Sequence, residues 1–512
     1  MGLAGPSVNS CTMLGFMAHT PTIGADMFTR PYSRHVLVSM VTAGLCLLSG
    51  CHSPQEGRST PAENSQTREK LDAQRKAMIE VWELVEQTHF DRTFNGHDWD
   101  QVKVEAIRES MDATSSEEIL TITVGMIRKL GQSHFSIIPA SYYELEQASE
   151  SGSDDRAEGE SIEEIAAEED GEGSVGIDAR ISPRGIMVVD VTRESSACQA
   201  GVGPGMIITS IDGQSMETFV QDVQERTSSS GIGSLDLYEL NSIVARRLSG
   251  PVDSTIELVL EDVDGNQQTM ELSRRSVPSQ MFKFGNLPEI PIQFEAGLLE
   301  PDELERIGID PDTGQRIAMI SFSGWFTPII MPFNKAIDRY RDADGIIIDL
   351  RGNPGGIAGL ATGIGGHFFE EPINLGTMQS PGGTLNMRVN PRIVSTENEL
   401  VTPYGGPVAI LVDSMSGSTS EMFTGGLQEA GRARVFGQTT AGAVLPAAMN
   451  RLSNGDVLLH AIADFKTPDG VRLEGVGAVP DHEIPLDPAL YAREQDPTLH
   501  AAVDWIILED TR

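Results

Sequence analysis

The stretch Gly345-Ile346-Ile347-Ile348-Asp349-Leu350, followed at once by Arg351-Gly352-Asn353-Pro354-Gly355-Gly356, decides how this 512-residue chain is read. A run of aliphatic residues without polar alternation is the pattern of a strand buried on both faces, as in the middle of a parallel sheet. The glycines after it make a turn in which backbone N–H groups can approach a ligand closely. Before it lies Ile317-Ala318-Met319-Ile320-Ser321-Phe322, with a helix expected around Phe333 to Tyr340. After it come a second helix, the strand Pro407 to Val412, and another helix from about Ser420 to Ala430. This alternation predicts a largely parallel sheet with helices packed against it, spanning residues 285–490. In such sheets the loops after strand C-termini are where chemistry collects.

A second loop of that kind is Ser416-Gly417-Ser418-Thr419-Ser420-Glu421, which runs into a helix whose N-terminal dipole favours developing negative charge. Taken alone, a serine here is open to two readings, a helix cap or a nucleophile.

Outward toward the N-terminus, residues 174–278 turn to short β-rich runs punctuated by Gly205 and Asp212-Gly213, with a probable helix inside Gln214 to Pro251. The order of strands resembles a PDZ domain. That resemblance implies a peptide-binding role for Val175, Gly176 and Ile177, where a PDZ domain offers N–H groups to a peptide's C-terminal carboxylate. Residues 71–140 carry apolar side chains at three- and four-residue steps (Met78, Val81, Leu84, Val85; Leu120, Val124, Ile127, Leu130), which predicts a small helical cap. Between the two, residues 141–173 read as an acidic, solvated linker: positions 144–172 hold thirteen acids and one base, Arg156.

Composition closes off some functions. The 37 Lys plus Arg against 75 Asp plus Glu give a net charge of −38, which repels nucleic acid, so no nucleic-acid partner is expected. The four cysteines make no disulfide framework and no Cys/His cluster has zinc-ligand spacing. At the N-terminus, Arg30 and Arg34 precede an apolar run from Val36 to Leu48, of signal-peptide length. It ends in Leu48-Ser49-Gly50-Cys51, which resembles a bacterial lipobox. With residues 1–51 read as a lipoprotein signal peptide, the resemblance implies cleavage before Cys51 and a mature chain that begins at a lipidated Cys51, anchored to a membrane outside the cytoplasm. Met27 would give a signal of ordinary length, so the first 26 residues read as an over-called start. Residues 52–70 read as a flexible tether, and residues 491–512 as a C-terminal helix.

Taken as an ordered set, the D-L-R-G-N-P-G-G and S-G-S-T-S-E loops, some sixty residues apart and preceded by the β-rich unit, closely resemble the C-terminal processing and tricorn peptidase family. The resemblance implies an α/β multidomain fold: a helical cap, a PDZ-like domain and a ClpP/crotonase-like catalytic domain. It also implies a serine peptidase acting on unfolded or C-terminally exposed polypeptides, without cofactor or metal. One branch of the family uses a Ser-Lys dyad, but the matching step here is Gly442-Ala443, and no lysine occurs between Lys335 and Lys466. The tricorn-like branch takes its base from a Ser-His step, matched by Ser133-His134, and a glutamate near the C-terminus, matched by Glu474. The resemblance thus implies Ser418 as nucleophile and His134 as general base, with Ser133 and Glu474 orienting the site, Glu474 through Ser133. The backbone N–H groups of Gly356, with Gly355 as second choice, and of Thr419 would form the oxyanion hole. A non-catalytic carrier of apolar ligands or peptides on the same fold is the alternative, and the complete residue set argues against it. Trp325 reads equally as groove lining or core.

Overall fold

The computed structural model describes residues 61–140, 172–219, 221, 233–283 and 289–510. The signal segment with Cys51 and the acidic stretch 141–171 lie outside the described residues.

Three helices build the cap: α1 (Pro61–Thr88), α2 (Trp99–Asp112) and α3 (Ser116–Arg128). Helix α1 starts within the stretch expected to be a tether. A proline at the first helical position loses no hydrogen bond, and Arg68-Glu69-Lys70-Leu71 are good helix formers, so the helix extends back to Pro61. Asp98 and Ser115 cap the next two helices by accepting from the N–H groups of Gln101 and Glu118. Their apolar faces meet in one core (Met78, Val81, Val85, Ala106, Ile119, Ile127) that is completed by Leu452 and Leu458 from a distant hairpin. A short strand, β1 (Ser136–Ile138), leaves the cap.

The β-rich unit holds β2 (Ile177–Ser182), β3 (Gly185–Val191), β4 (Ile207–Ile211), helix α4 (Ser234–Leu248), β5 (Thr255–Glu261) and β6 (Gln267–Ser273). These strands form an antiparallel sheet in chain order, with a two-residue strand, Gln214–Ser215, added to β4. Val175, Ile177, Ile186, Ile208, Val244 and Leu258 fill its own core.

The α/β unit is built on six strands: β7 (Phe294–Leu298), β8 (Ile317–Phe322), β9 (Gly345–Asp349), β10 (Val408–Val412), β11 (Arg434–Gly437) and, further along the chain, His482–Glu483. They lie side by side in that order, with β7 antiparallel to β8 and every other pair parallel. Because successive side chains point to opposite faces, the all-aliphatic β9 serves two cores at once. Ile346 and Ile348 pack with Phe333 and Phe423 on one face, while Ile347 packs with Leu499, Val503 and Ile506 on the other. Burying one such side chain is worth about 1.5–3 kcal/mol. The helices that cover the first face are α5 (Ile330–Arg339), α6 (Gly359–Gly365) and α7 (Thr419–Glu429). The C-terminus is two helices rather than one, Pro488–Glu494 and Pro497–Asp510. Pro497 cannot continue a helix, and Asp496 caps the second by accepting from the N–H of Leu499.

The hairpin of β12 (Ala447–Arg451) and β13 (Val457–Ala461) reaches from this unit to the cap, where β13 pairs antiparallel with β1, Ser136 opposite Leu459. That pairing carries the residues just before β1 to the α/β unit.

Candidate active site

Ser418 stands at the N-terminus of α7, directly after the loop that follows β10. Its backbone takes φ 53° and ψ −114°, a conformation costly to a residue with a side chain and held only where the surroundings enforce it. The enforcement is visible: its N–H donates to the carbonyl of Ala443 (2.8 Å) and to Oε2 of Glu421 (3.0 Å). The seat across from it is made for glycine, since a Cβ on Gly355 would lie 2.6 Å from that of Ser418.

The two proposed oxyanion donors differ in availability. The N–H of Gly355 is committed to Oδ1 of Asn353 (3.0 Å). Gly356 accepts from Thr419 Oγ1 (2.9 Å) through its carbonyl, while its own N–H and that of Thr419 donate to nothing among the described residues. Gly356 and Thr419 therefore form the free donor pair at the head of α7, and Gly355 serves to bring its neighbour close.

The imidazole arrives from the cap. Ser133 Oγ meets Nδ1 of His134 at 2.8 Å and donates to Oε2 of Glu474 (2.9 Å), while the Ser133 N–H donates to Oε1 of Glu474 (2.7 Å). Glu474 thus acts on the imidazole through Ser133. It also accepts from the N–H of Val444 (2.9 Å), the residue after Ala443, and so ties the relay to the segment that grips Ser418. Burial pushes the Glu474 carboxyl above its ordinary value, against the pull of the Ser133 and Val444 donors. Burial also lowers His134 to about 4, although the residue as a whole is only half-buried, so the imidazole is neutral at pH 7 and able to accept a proton. His134 too has a left-handed backbone, φ 60°. Among the described residues no hydrogen bond joins Ser418 Oγ to the imidazole, whose Nδ1 is engaged by Ser133.

Three supports were not assigned from the sequence. Glu421, quoted there only as part of its motif, is fully buried and gathers four donors: Thr440 Oγ1, and the N–H groups of Gly442, Ala443 and Ser418. Burial raises its carboxyl to about 7, and those four donors oppose the rise. Asn353 donates to the Phe322 carbonyl (2.7 Å) and fixes the glycine turn. Arg180, on β2, reaches Asp413 at the end of β10 (Nε to Oδ2, 2.9 Å) and also pairs with Asp178. No local motif marks a contact between residues so far apart in the chain.

Ala443 occupies the dyad-lysine position and packs with Met415, Ala441 and Tyr238 of α4. Trp325 is core: wholly buried, its Nε1 donates to Ser420 Oγ (2.9 Å). Val175 is buried in the β-rich core, the Gly176 N–H is taken by Ser174 Oγ (2.9 Å), and Ile177 opens β2. Among the described residues no group of three or more His, Cys, Asp or Glu could hold a metal ion.

A serine hydroxyl at a helix N-terminus, two N–H groups without a partner among the described residues and a neutral, oriented imidazole are the kinds of group a serine-type peptidase uses. Residues 316–484 match the model of Peptidase family S41. Carboxyl-terminal-processing peptidase 2, chloroplastic, of Arabidopsis thaliana is 24% identical over 416 residues, 80% of this chain and 68% of that one. The carboxyl-terminal-processing protease of Synechocystis sp. is 23% identical over 431 residues, 83% of each. In fold, the chain is similar to mature CPAF, with a TM-score of 0.54 at 13% identity, covering 86% of this chain and 99% of that one. The chain carries a serine peptidase domain of family S41.

Proposed function

We propose that the protein is an endopeptidase that cleaves unfolded or C-terminally exposed polypeptides, with Ser418 as nucleophile and His134 as base. The observation that carries this reading is the Glu474–Ser133–His134 relay, joined through Val444 and Ala443 to the backbone of Ser418. Ser418 Oγ attacks the scissile carbonyl as its proton passes to the imidazole. The oxyanion is received by the N–H groups of Gly356 and Thr419. His134 then returns the proton to the leaving amine, and a water deprotonated by the same imidazole releases the acyl group. The names of the relatives, which are processing proteases, support the substrate class.

Two further parts belong to the proposal. The β-rich sheet with α4 beside β2 acts as a PDZ-like docking domain for substrate tails, through the segment Val175 to Ile177. Lipidation at Cys51 tethers the enzyme to a membrane outside the cytoplasm, on a periplasmic or extracellular face, a reading supported by Leu48-Ser49-Gly50-Cys51 in the sequence. The test is cleavage of an unfolded protein by residues 52–512, products read by mass spectrometry, beside Ser418→Ala and His134→Ala. Turnover lost in both supports the assignment, and turnover surviving either one removes that residue from the mechanism.

A further inference from the structure

His89 follows the last residue of α1 and is fully buried, yet neither ring nitrogen has a hydrogen-bond partner. A neutral imidazole always carries one N–H and one lone pair, so both are left unpaired here, where an aliphatic side chain would pack without that cost. Three rings enclose it: Phe90 at 4.8 Å, Phe94 at 5.5 Å and Phe135 at 5.7 Å between centroids. Phe135 is the residue between His134 and β1. The imidazole is therefore part of the wall that holds the His134 loop in place.

We propose that His89 is a positioning residue for His134: while neutral it packs under Phe135 and keeps the loop closed, and its protonation opens the loop, making delivery of the base acid-sensitive. This rests on the reading of His134 as the base. A charged imidazolium here would lack both water and a hydrogen-bond acceptor, a loss that the surrounding ring faces offset only in part, so charging favours opening. The charged or titratable groups facing His89 are Asp91, which favours the charged form, and Arg92 and His460, which oppose it. Burial outweighs them all and lowers His89 to about 4. His460 is buried as well, its Nδ1 against Thr88 Oγ1 (3.1 Å), and is likewise lowered to about 4 by burial.

The sign follows from linkage. The open loop lets His89 titrate near 6.5, the closed one near 4, so closure is fully favoured above pH 6.5 and is lost progressively as the pH falls through that interval. One proton taken up on opening multiplies the open population by about ten per pH unit.

The experiment is amide hydrogen exchange on the full chain carrying Ser418→Ala, which prevents self-cleavage, from pH 7 to pH 4.5 and corrected for intrinsic exchange. Protection of Ser136 to Ile138 is expected to fall as the pH falls. With His89→Leu added, the fall should be shallower by about tenfold per pH unit, while Ile346 to Ile348 exchange alike in both. Equal slopes with and without His89 would overturn the proposal. If His89→Leu does not fold, carbon-13 NMR of the imidazoles in the parent decides: a His89 midpoint below pH 5 upholds it, and one near 6.5 in the folded protein overturns it. Neither readout involves turnover, so a failure of His134→Ala to abolish cleavage would count against the catalytic reading alone.

Discussion

Arg180 of the β-rich sheet and Asp413 of the peptidase sheet form a buried ion pair across two units of the molecule, Nε to Oδ2 at 2.9 Å. The same carboxylate accepts through Oδ1 from the N–H groups of Gly352 (3.0 Å) and Met415 (2.9 Å), so it holds the glycine turn and the loop that leads to Ser418 together. Removing the guanidinium would take from the buried Asp413 carboxylate the cation that Arg180 supplies. Arg180→Ala is expected to destabilise the protein by about 3–5 kcal/mol, the usual cost of a buried charge left unpaired. Arg180→Lys should restore little, because a point charge cannot make the forked contact. Thermal unfolding of the three proteins checks this, and an Arg180→Ala protein as stable as the parent would refute it.

Glu421 organises the backbone of Ser418, the proposed nucleophile, by accepting four hydrogen bonds. Glu421→Gln keeps the shape but turns one acceptor into an NH2 group that must face at least one of four existing donors. Each donor left unpaired in such a buried place costs about 1–3 kcal/mol. The expected result is a fall in kcat of about ten- to a hundredfold with KM little changed, because the loss falls on the geometry of Ser418 rather than on substrate contacts. Steady-state kinetics on an unfolded substrate decide it, and an unchanged kcat would show that the loop holds its shape without the carboxylate.

How much of this was readable in advance follows the physics of each part. The strand Gly345–Asp349 and its glycine turn were readable because burial on both faces leaves an unbroken aliphatic run. Ser418, His134, Ser133 and Glu474 were named through resemblance to a family, since nothing local distinguishes Ser133 from an ordinary cap. The extension of α1 to Pro61 was missed because polar helix formers without apolar period also suit a tether. The Arg180–Asp413 pair and the four donors on Glu421 could not be seen at all: they depend on tertiary placement, and a charged residue on a strand usually reads as solvated surface.

The relay makes a prediction that separates orientation from charge. Ser133→Ala removes the hydroxyl between Glu474 and the imidazole but leaves the N–H of Ser133 on Oε1. Glu474→Gln keeps the size but leaves one acceptor oxygen where there were two. If both act only by orienting His134, each should lower kcat/KM by about ten- to a hundredfold, and the double variant should be no worse than the more damaged single one. Multiplied effects in the double variant would mean that Glu474 acts on the reaction by a second route, the N–H of Val444 being the structural candidate.

The acidity of His134, the proposed base, gives the activity a pH signature. A base must be unprotonated to accept the serine proton, and burial holds this imidazole at about 4 rather than 6.5. The acid limb of kcat/KM should therefore lie near pH 4, with activity retained at pH 5.5, where an ordinary histidine would be mostly protonated. Stability follows the opposite logic over the same range. Because the folded value lies below the unfolded one, the fold keeps its full stability above pH 6.5 and loses it as the pH drops toward 4, so short assays must be used to separate catalysis from unfolding. Initial rates from pH 3.5 to 8 on a substrate without titratable groups test it. A midpoint near 6.5 would mean that the imidazole is solvated in the free enzyme, or that another group serves as base, and the same profile on Ser133→Ala would tell these apart: a midpoint that moves when that hydroxyl is lost belongs to His134.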